Sequence, residues 1–267
     1  MIVIVRFVAL SVFALSLGAG LGPRVASAQT SPPPVDPRLI EDLVAANRVL
    51  AQEGILDAYG HVSVRHPNNP SRYLLSRSLA PILVSASDII EYDLDSNPID
   101  AKGRRSVLER FIHGEIYKAR PDVKAVIHTH SPTVVPFSVS QTPLRPVIHA
   151  ASFLWVGVPV FEIRDAGGPA TDMLVRNAAL GKALAATLGK KPVALLRGHG
   201  DVIAAADIQL AVRYAIYTEV NARLQATAIV LGGPINYISP EEGATRDKTP
   251  GDFERAWELW KKKALAQ

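Results

Sequence analysis

Cysteine is absent from the 267 residues of this chain, and its absence excludes several kinds of site. Without thiols the protein has no disulfide, no thiolate metal ligand, no cysteine nucleophile and no lipid-modified N-terminal cysteine. Any metal ion must therefore be held by histidine, aspartate or glutamate.

Runs of like charge are also missing. Lysine and arginine number 29 and aspartate and glutamate 25, and this mild basic balance is spread along the chain, which argues against a nucleic-acid partner. The chain has no dinucleotide-binding or P-loop glycine pattern and no internal repeat. These absences leave a single globular enzyme or binding domain as the expected class.

The one long apolar stretch lies at the N-terminus. Arg6 is followed by the apolar run Phe7 to Leu21 and then by the small-x-small sequence Ala26-Ser27-Ala28. This pattern predicts a signal peptide of residues 1–28, cleaved after Ala28, and a linker of residues 29–36. An uncleaved membrane anchor is the alternative, because the residues before Arg6 are also apolar. We expect a periplasmic or secreted protein with no membrane segment after cleavage.

Residues 37–267 are predicted to form one catalytic domain, since the length and the hydrophobic share of 48% permit a full core. Helices and strands do not strictly alternate, which indicates an α/β fold with antiparallel pairs. The predicted strands are Val62–Val64, Tyr73–Leu75, Ile89–Leu94, Lys124–His130, Val158–Ile163, Val193–Leu196 and Val202–Ala205. The predicted helices open at Asp36-Pro37 and end at Gly54, span about Ser106–Ala119 and Leu174–Leu188, run from Asp207 to about Leu231, and finish with Phe253, Trp257 and Trp260.

His128 and His130 lie two residues apart on a predicted strand, so both side chains leave the same face and can bind one ion. A third ligand must come from elsewhere, and His199 follows another predicted strand within Arg197-Gly198-His199-Gly200. Glycines on both sides let the backbone turn sharply there. Three neutral imidazoles with an open fourth position are typical of a catalytic metal site.

Glu109 is the fourth candidate, because it lies near the start of the predicted helix that precedes the His128 strand. Its carboxylate would reach the metal or the substrate from there. His113 follows four residues later, so we expect both side chains on one helix face. His66, in a turn-like stretch beside Pro67, is interpreted as an ordinary structural histidine.

Three segments together resemble the signature of the class II aldolase/adducin family. They are Glu109-Arg110-Phe111-Ile112-His113, Val126-Ile127-His128-Thr129-His130 and Leu195-Leu196-Arg197-Gly198-His199-Gly200. The likeness extends from the first helix to about Gly232.

This resemblance implies a three-layer α/β/α fold around a central, largely antiparallel mixed sheet, with the active site at an edge. It implies that His128, His130 and His199 bind one zinc or related divalent ion per subunit, and that Glu109 is a ligand and the acid/base. It also implies a homotetramer with sites between subunits. On that basis we expect Trp257 and Trp260 to complete a neighbour's pocket.

Phosphate-binding positions of the family's sugar-phosphate aldolases read differently in this chain. A Gly-Asn, a Thr-Gly and a Ser pair are replaced by Gly60-His61, Ser78-Leu79 and Val107-Leu108. Val107 and Leu108 carry no side-chain donor for a phosphate oxygen. The resemblance therefore does not extend to a sugar-phosphate aldolase.

Four further sequence segments resemble the family branch that contains 3-hydroxy-2-methylpyridine-4,5-dicarboxylate decarboxylase. The divalent metal of that branch is often manganese. The segments are Gly60-His61-Val62-Ser63-Val64-Arg65, Tyr73-Leu74-Leu75-Ser76-Arg77, Phe111-Ile112-His113-Gly114-Glu115 and Phe161-Glu162-Ile163-Arg164-Asp165. We expect a metal-dependent carbon–carbon lyase that uses zinc or manganese and decarboxylates a hydroxy-aromatic or hydroxy-acid substrate. Two alternatives stay open: aldol cleavage of an unphosphorylated hydroxy-acid, and a non-catalytic periplasmic metal-binding module.

Three residues are candidates for contacts to a small carboxylate or hydroxy-carbonyl substrate. Arg77 and His61 are suited to a carboxylate, and the alternative for Arg77 is a surface ion pair. His149 matches a histidine of family aldolases that either lines the pocket or fills space beside it.

Overall fold

The computed structural model describes residues 1–2, 35–249, 251 and 253–266. The predicted signal peptide beyond its first two residues, the cleavage site after Ala28 and most of the linker lie outside the described residues. A compact unit of residues 33–267 carries every element described below. In the described part, no helix combines the length and apolar character needed to cross a bilayer.

The opening helix begins where the sequence predicts it. α1 spans Pro37–Gln52, and the Asp36 side chain caps it by accepting a hydrogen bond from the Arg38 N–H. Pro37 suits the first turn because its missing N–H would have no intrahelical partner there. Gly54, with φ of 71°, takes the chain out of the helix.

Seven strands form one sheet in the order β3-β2-β1-β4-β7-β6-β5. All neighbouring pairs are antiparallel except β5 and β6, which are parallel. The predicted mixed, largely antiparallel sheet is therefore confirmed. The strands are β1 His61–Arg65, β2 Arg72–Ser76, β3 Ile89–Asp93, β4 Ala125–Thr129, β5 Val160–Phe161, β6 Val193–Leu196 and β7 Gly200–Ala205.

Helices cover both faces of the sheet. Alternate residues of β4 enter different hydrophobic clusters: Ala125 and Ile127 pack with α1 and α6, whereas Val126 packs with α2 and α5. The period of two along the strand thus builds two cores, and the predicted three-layer α/β/α fold is confirmed. The helices after α1 are α2 Phe111–Ala119, α3 Val135–Val139, α4 Arg164–Gly167, α5 Ala178–Leu188, α6 Ile208–Leu231, α7 Pro240–Asp247 and α8 Glu254–Leu265, with 3₁₀ segments at Pro81–Leu83, Ala86–Asp88 and His149–Val156.

The helix before β4 begins later than the sequence indicates. α2 starts at Phe111 rather than about Ser106, because Ser106 pairs with Arg77 in a β-bridge and is held extended. Glu109 consequently lies in the turn before the helix. The expectation that Glu109 and His113 share a helix face is wrong.

The helix before β6 is also shorter at its start. α5 begins at Ala178, capped by Asn177, rather than at about Leu174. The backbone before Ala178 does not form helical hydrogen bonds, because two of its groups bond elsewhere. The Met173 carbonyl accepts from His199, and the Val175 N–H donates to Glu109. Local periodicity contains no signal for such long-range bonds.

The C-terminal helix packs on its own chain. Trp257 is 4% exposed within the cluster that contains α1 residues, and Trp260 packs against the same cluster. Lys261 adds an ion pair to Asp42 of α1 at 2.7 Å. The Trp257 ring is thus used in the core of its own chain, and the expectation that Trp257 and Trp260 complete a neighbour's pocket stays a prediction.

A tight turn of residues 197–199 joins β6 to β7 and presents His199. Gly198 adopts φ of 64°, in the left-handed region that favours glycine. A Cβ atom placed on Gly200 would overlap the carbonyl oxygen of Thr129 on β4. The two glycines therefore allow the turn to close against the strand that carries His128.

We expect Gly200→Ala to destabilise the fold by about 3 kcal/mol or more, the upper end of the range typical of overpacking, since backbone cannot move aside by changing rotamer. Gly233→Ala is the control, because this glycine has φ of 77° but a Cβ atom added to it would meet no other atom within 4 Å. That variant should lose only about 1–2 kcal/mol from backbone conformation. Urea unfolding measures both, and equal losses would contradict the close approach of Gly200 to Thr129.

Candidate metal centre

Four side chains from distant parts of the chain converge beside the end of β4. His128 lies on β4, His130 follows its last residue, His199 comes from the turn between β6 and β7, and Glu109 from the turn before α2. One ligand atom from each lies within 4.8 Å of all the others. The His130 and His199 Nε2 atoms are 3.0 Å apart, and Glu109 Oε2 is 3.6 Å from the Nε2 atoms of both His128 and His199.

Each of the three imidazoles is held through its Nδ1 atom by an oxygen that can only accept a hydrogen bond. Each Nδ1 therefore carries the proton, and each Nε2 presents its lone pair. The partners are the Asp201 carbonyl 3.0 Å from His128, the Asp57 carboxylate 3.0 Å from His130, and the Met173 carbonyl 3.1 Å from His199.

The Nε2 atoms lack partners that would satisfy these lone pairs. His128 Nε2 is buried without a hydrogen bond, and its 3.6 Å separation from Glu109 is too long for one. The His130 and His199 lone pairs face each other, an arrangement that is repulsive unless a positive charge lies between them. A divalent cation satisfies all three nitrogens, and three imidazoles with a carboxylate suit zinc, manganese, iron or cobalt.

The ionisation of the cluster favours a cation. Burial raises the pKa of Glu109, but the neighbouring His128 and His199 outweigh that effect and hold it at about 2. Burial lowers the pKa of His199 to about 4, with a further contribution from His128. Burial also opposes protonation of His128, yet Glu109 raises the pKa of that imidazole. The carboxylate thus draws positive charge to the point where the nitrogens meet.

The cluster is open on one side. The His128 side chain is fully buried, whereas that of His130 is 21% exposed. Tyr59, which is 76% exposed, lies with its ring centroid 6.5 Å from that of His130. A small molecule can therefore approach from the side of Tyr59 and His130.

The three predicted substrate residues have different surroundings. His61 is 3% exposed and its ring lies 5.2 Å from the His128 ring. Arg77 donates to Asp88 at 2.6 Å, and His149 is an exposed residue at the start of a 3₁₀ segment. No hydrogen bond or ion pair in the described part of the chain joins Arg77 or His149 to the cluster.

Sequence patterns missed the groups that orient the cluster. Nothing in the sequence marks Asp57 as a partner of His130, or Met173 and Val175 as backbone partners of His199 and Glu109. These bonds depend on loop conformations, which local periodicity does not encode. His66 is buried 3.9 Å from Glu91 and lies outside the cluster.

The family model for the class II aldolase and adducin N-terminal domain matches residues 41–226. The chain belongs to this family. The match includes Glu109, His128, His130 and His199, so the cluster lies within the part of the chain that defines the family.

Relatives within the family include decarboxylases and an aldolase. The chain is 34% identical over 244 residues to decarboxylase tropJ of Talaromyces stipitatus, covering 83% of this chain and 92% of that protein. It is 32% identical over 231 residues to the 3,4-dihydroxyphthalate decarboxylase of Arthrobacter keyseri, covering 81% and 90%. A solved L-fuculose 1-phosphate aldolase of Glaciozyma antarctica superposes with a TM-score of 0.68 at 27% identity, covering 86% and 87%.

These relatives support a lyase. The narrower resemblance to the pyridine-dicarboxylate branch stays a prediction, because decarboxylase tropJ is named without a substrate and the Arthrobacter keyseri relative is named for 3,4-dihydroxyphthalate.

Proposed function

We propose that this protein is a divalent-metal-dependent lyase that decarboxylates a hydroxy-aromatic acid or a similar hydroxy-acid. The observation that carries the proposal is the convergence of three Nδ1-anchored imidazoles and the Glu109 carboxylate on one solvent-reachable point. Two decarboxylases that match more than four-fifths of the chain support it.

His128, His130 and His199 would hold one zinc or manganese ion, and Glu109 would be the fourth ligand or the acid/base. A bound ion supplies positive charge that withdraws electron density from a hydroxyl oxygen of the substrate. The carbonyl and carboxylate groups on the three Nδ1 atoms keep each ring in the tautomer that can ligate. Only His130 among the three imidazoles has more than 20% of its side chain exposed, so the buried rings exclude water from the inner side.

Glu109 is ionised and held in place by the Val175 N–H at 2.8 Å, so it can accept the proton of the substrate hydroxyl. In decarboxylation the bond between the ring carbon and the carboxylate carbon breaks, and the electron pair stays with the ring. Carbon dioxide leaves, Glu109 returns its proton to that ring carbon, and a solvent proton restores the hydroxyl.

The side chains at the positions that bind phosphate in the aldolases favour a carboxylate substrate over a phosphorylated sugar. Leu108, beside Glu109, is 47% exposed and offers no hydrogen-bond donor. Val107, the preceding residue, likewise carries no side-chain donor. A phosphate at this place would therefore keep fewer partners than in the aldolases that the chain resembles.

We expect the metal-loaded protein to release carbon dioxide from 3,4-dihydroxyphthalate or 2,3-dihydroxybenzoate and to cleave L-fuculose 1-phosphate poorly. Each missing charge-assisted hydrogen bond to the phosphate costs roughly 1.5–3 kcal/mol, so the loss of two lowers affinity by at least about 100-fold. Headspace carbon dioxide and aldehyde detection measure the two reactions. Efficient cleavage of the phosphosugar with no turnover of any hydroxy-aromatic acid would contradict the proposal.

Aldol cleavage of an unphosphorylated hydroxy-acid is the second candidate, and the structural similarity to an aldolase at 27% identity favours it. Both reactions break a carbon–carbon bond with Glu109 moving a proton. A panel of hydroxy-acids separates them, because decarboxylation yields carbon dioxide and aldol cleavage yields an aldehyde. A non-catalytic metal-binding module would bind the ion and turn over neither group of compounds.

The proposal also includes export to the periplasm, which the apolar leader supports. It further includes a homotetramer with active sites between subunits, which family membership supports. Light scattering of the active protein tests the assembly, and a fully active monomer would rule out shared sites.

A further inference from the structure

A chain of four buried polar side chains runs from the metal cluster into the core. His61 Nδ1 lies 2.7 Å from His113 Nε2, His113 Nδ1 lies 2.6 Å from Ser63 Oγ, and Ser63 Oγ lies 2.8 Å from the Tyr117 hydroxyl. We call these residues the buried relay. All four are at most 3% exposed, and His113 and Ser63 are fully buried.

The protons of the buried relay can be placed from its end inside the core. The Tyr117 hydroxyl has no acceptor other than Ser63 Oγ in the described part of the chain, and the nearby Val126 backbone N–H can only donate. Tyr117 therefore donates to Ser63, because leaving a buried hydroxyl hydrogen without an acceptor is unfavourable. Ser63 must then donate to His113 Nδ1 for the same reason.

This order fixes the tautomers of both imidazoles. Burial disfavours the charged form of each ring, so each carries one proton. With its Nδ1 accepting from Ser63, His113 carries the proton on Nε2 and donates it to His61 Nδ1. His61 is left with its own proton on Nε2. With both rings neutral, every other arrangement leaves a buried hydroxyl hydrogen without an acceptor or brings two N–H hydrogens face to face between nitrogens 2.7 Å apart.

The Nε2 edge of His61 is free to meet a ligand. No hydrogen bond to this atom exists in the described part of the chain, and His61 and His128 are directly paired residues of β1 and β4. Paired residues of neighbouring strands project from the same face of a sheet. Their ring centroids are 5.2 Å apart. The unpartnered donor thus belongs to the immediate surroundings of the metal cluster.

We propose that the buried relay holds His61 as a fixed Nε2–H donor, and that this donor binds the substrate carboxylate next to the metal cluster. The inference rests on the proposed function for the identity of the carboxylate. With a proton on Nε2, His61 can donate a hydrogen bond there but cannot accept one. It therefore favours a substrate group that accepts, such as a carboxylate, over a hydroxyl that must donate. His113 and Ser63 are positioning residues, since they act through His61.

The first test determines the tautomer of His61 and does not require catalytic activity. Long-range proton–nitrogen NMR of the zinc-loaded, histidine-labelled protein distinguishes Nδ1–H from Nε2–H, and His61→Ala assigns the signals. We expect His61 in the Nε2–H form. We also expect Ser63→Ala to give mixed tautomers, whereas Tyr117→Phe, which removes a hydroxyl that does not touch His113, preserves the form.

His61 as an Nδ1–H tautomer would overturn the proposal. A Ser63→Ala variant with unchanged His61 signals would overturn the positioning role. Because neither result depends on catalysis, failure of the proposed decarboxylation is distinguishable from failure of this inference.

Ligand binding tests whether His61 binds the substrate carboxylate. Calorimetry in the Glu109→Gln background, which should keep the metal but not decarboxylate, compares 2,3-dihydroxybenzoate with catechol, which offers the same two oxygens but lacks the carboxylate. His61→Ala should weaken the first by roughly tenfold or more and leave the second nearly unchanged, since a hydrogen bond to a charged group is lost only with the carboxylate. His61→Gln, which keeps an N–H donor, should recover part of the difference. Equal effects of His61→Ala on the two ligands would overturn carboxylate binding by this residue.

Discussion

Glu109→Gln is expected to lower turnover by about 10²–10⁴-fold, the usual contribution of a positioned acid/base group. The amide has nearly the same shape and keeps an oxygen that can accept from the Val175 N–H. Three imidazoles remain, so the metal content should stay close to that of the wild type. The lower turnover therefore reflects the loss of proton transfer, which an amide cannot carry out at neutral pH.

Glu115→Gln is the matched control for this variant. Glu115 is equally buried, at 8% exposed, but pairs with Lys118 on α2 and lies outside the cluster. Steady-state turnover and elemental analysis of both variants separate the roles. A Glu109→Gln enzyme with near-normal turnover would remove Glu109 from proton transfer, and one that lost its metal would make it a required ligand.

His128→Ala, His130→Ala and His199→Ala are each expected to abolish stoichiometric metal binding. Each substitution leaves two imidazoles and Glu109, and two imidazoles rarely retain an ion against buffer. The binding free energy of a complete protein site is large, about 10–16 kcal/mol for structural zinc, and the three imidazoles are expected to supply most of it here. Elemental analysis after dialysis against a weak chelator measures the outcome.

His66→Ala serves as the control for removing a buried imidazole. His66 is 4% exposed, but its ring lies near Glu91 rather than the cluster, so its loss should leave metal content unchanged. Thermal unfolding shows whether each variant is folded. A folded ligand variant that bound metal as tightly as the wild type would exclude that histidine from the site.

The metal-site geometry is partly predictable from short-range rules. His128 and His130 lie two residues apart along a predicted strand, so their side chains share one face of the sheet. His199 lies in a glycine-flanked turn after another predicted strand, so local patterns indicate all three histidines. Local periodicity places Glu109 on a helix face, but the Arg77 and Ser106 bridge keeps its segment out of the helix. The residue still reaches the cluster, because the turn before α2 is held to Val175.

Other parts of the site depend on tertiary contacts that no local pattern encodes. Asp57 lies in a loop, and the Met173 carbonyl is available only because α5 starts at Ala178. The buried relay had a weak signal of its own. His61 and Ser63 alternate along a strand, while His113 and Tyr117 are four apart on a helix, so the two periodicities place each pair on one face.

Carbon dioxide release before and after removal of the metal tests the central claim most directly. The protein is assayed with 3,4-dihydroxyphthalate as purified, after chelation, and after return of one equivalent of Zn²⁺ or Mn²⁺. We predict release by the purified protein, loss on chelation, and recovery with one of the two ions. Release that persists undiminished in protein shown to be metal-free would contradict a metal-dependent decarboxylase built on His128, His130 and His199.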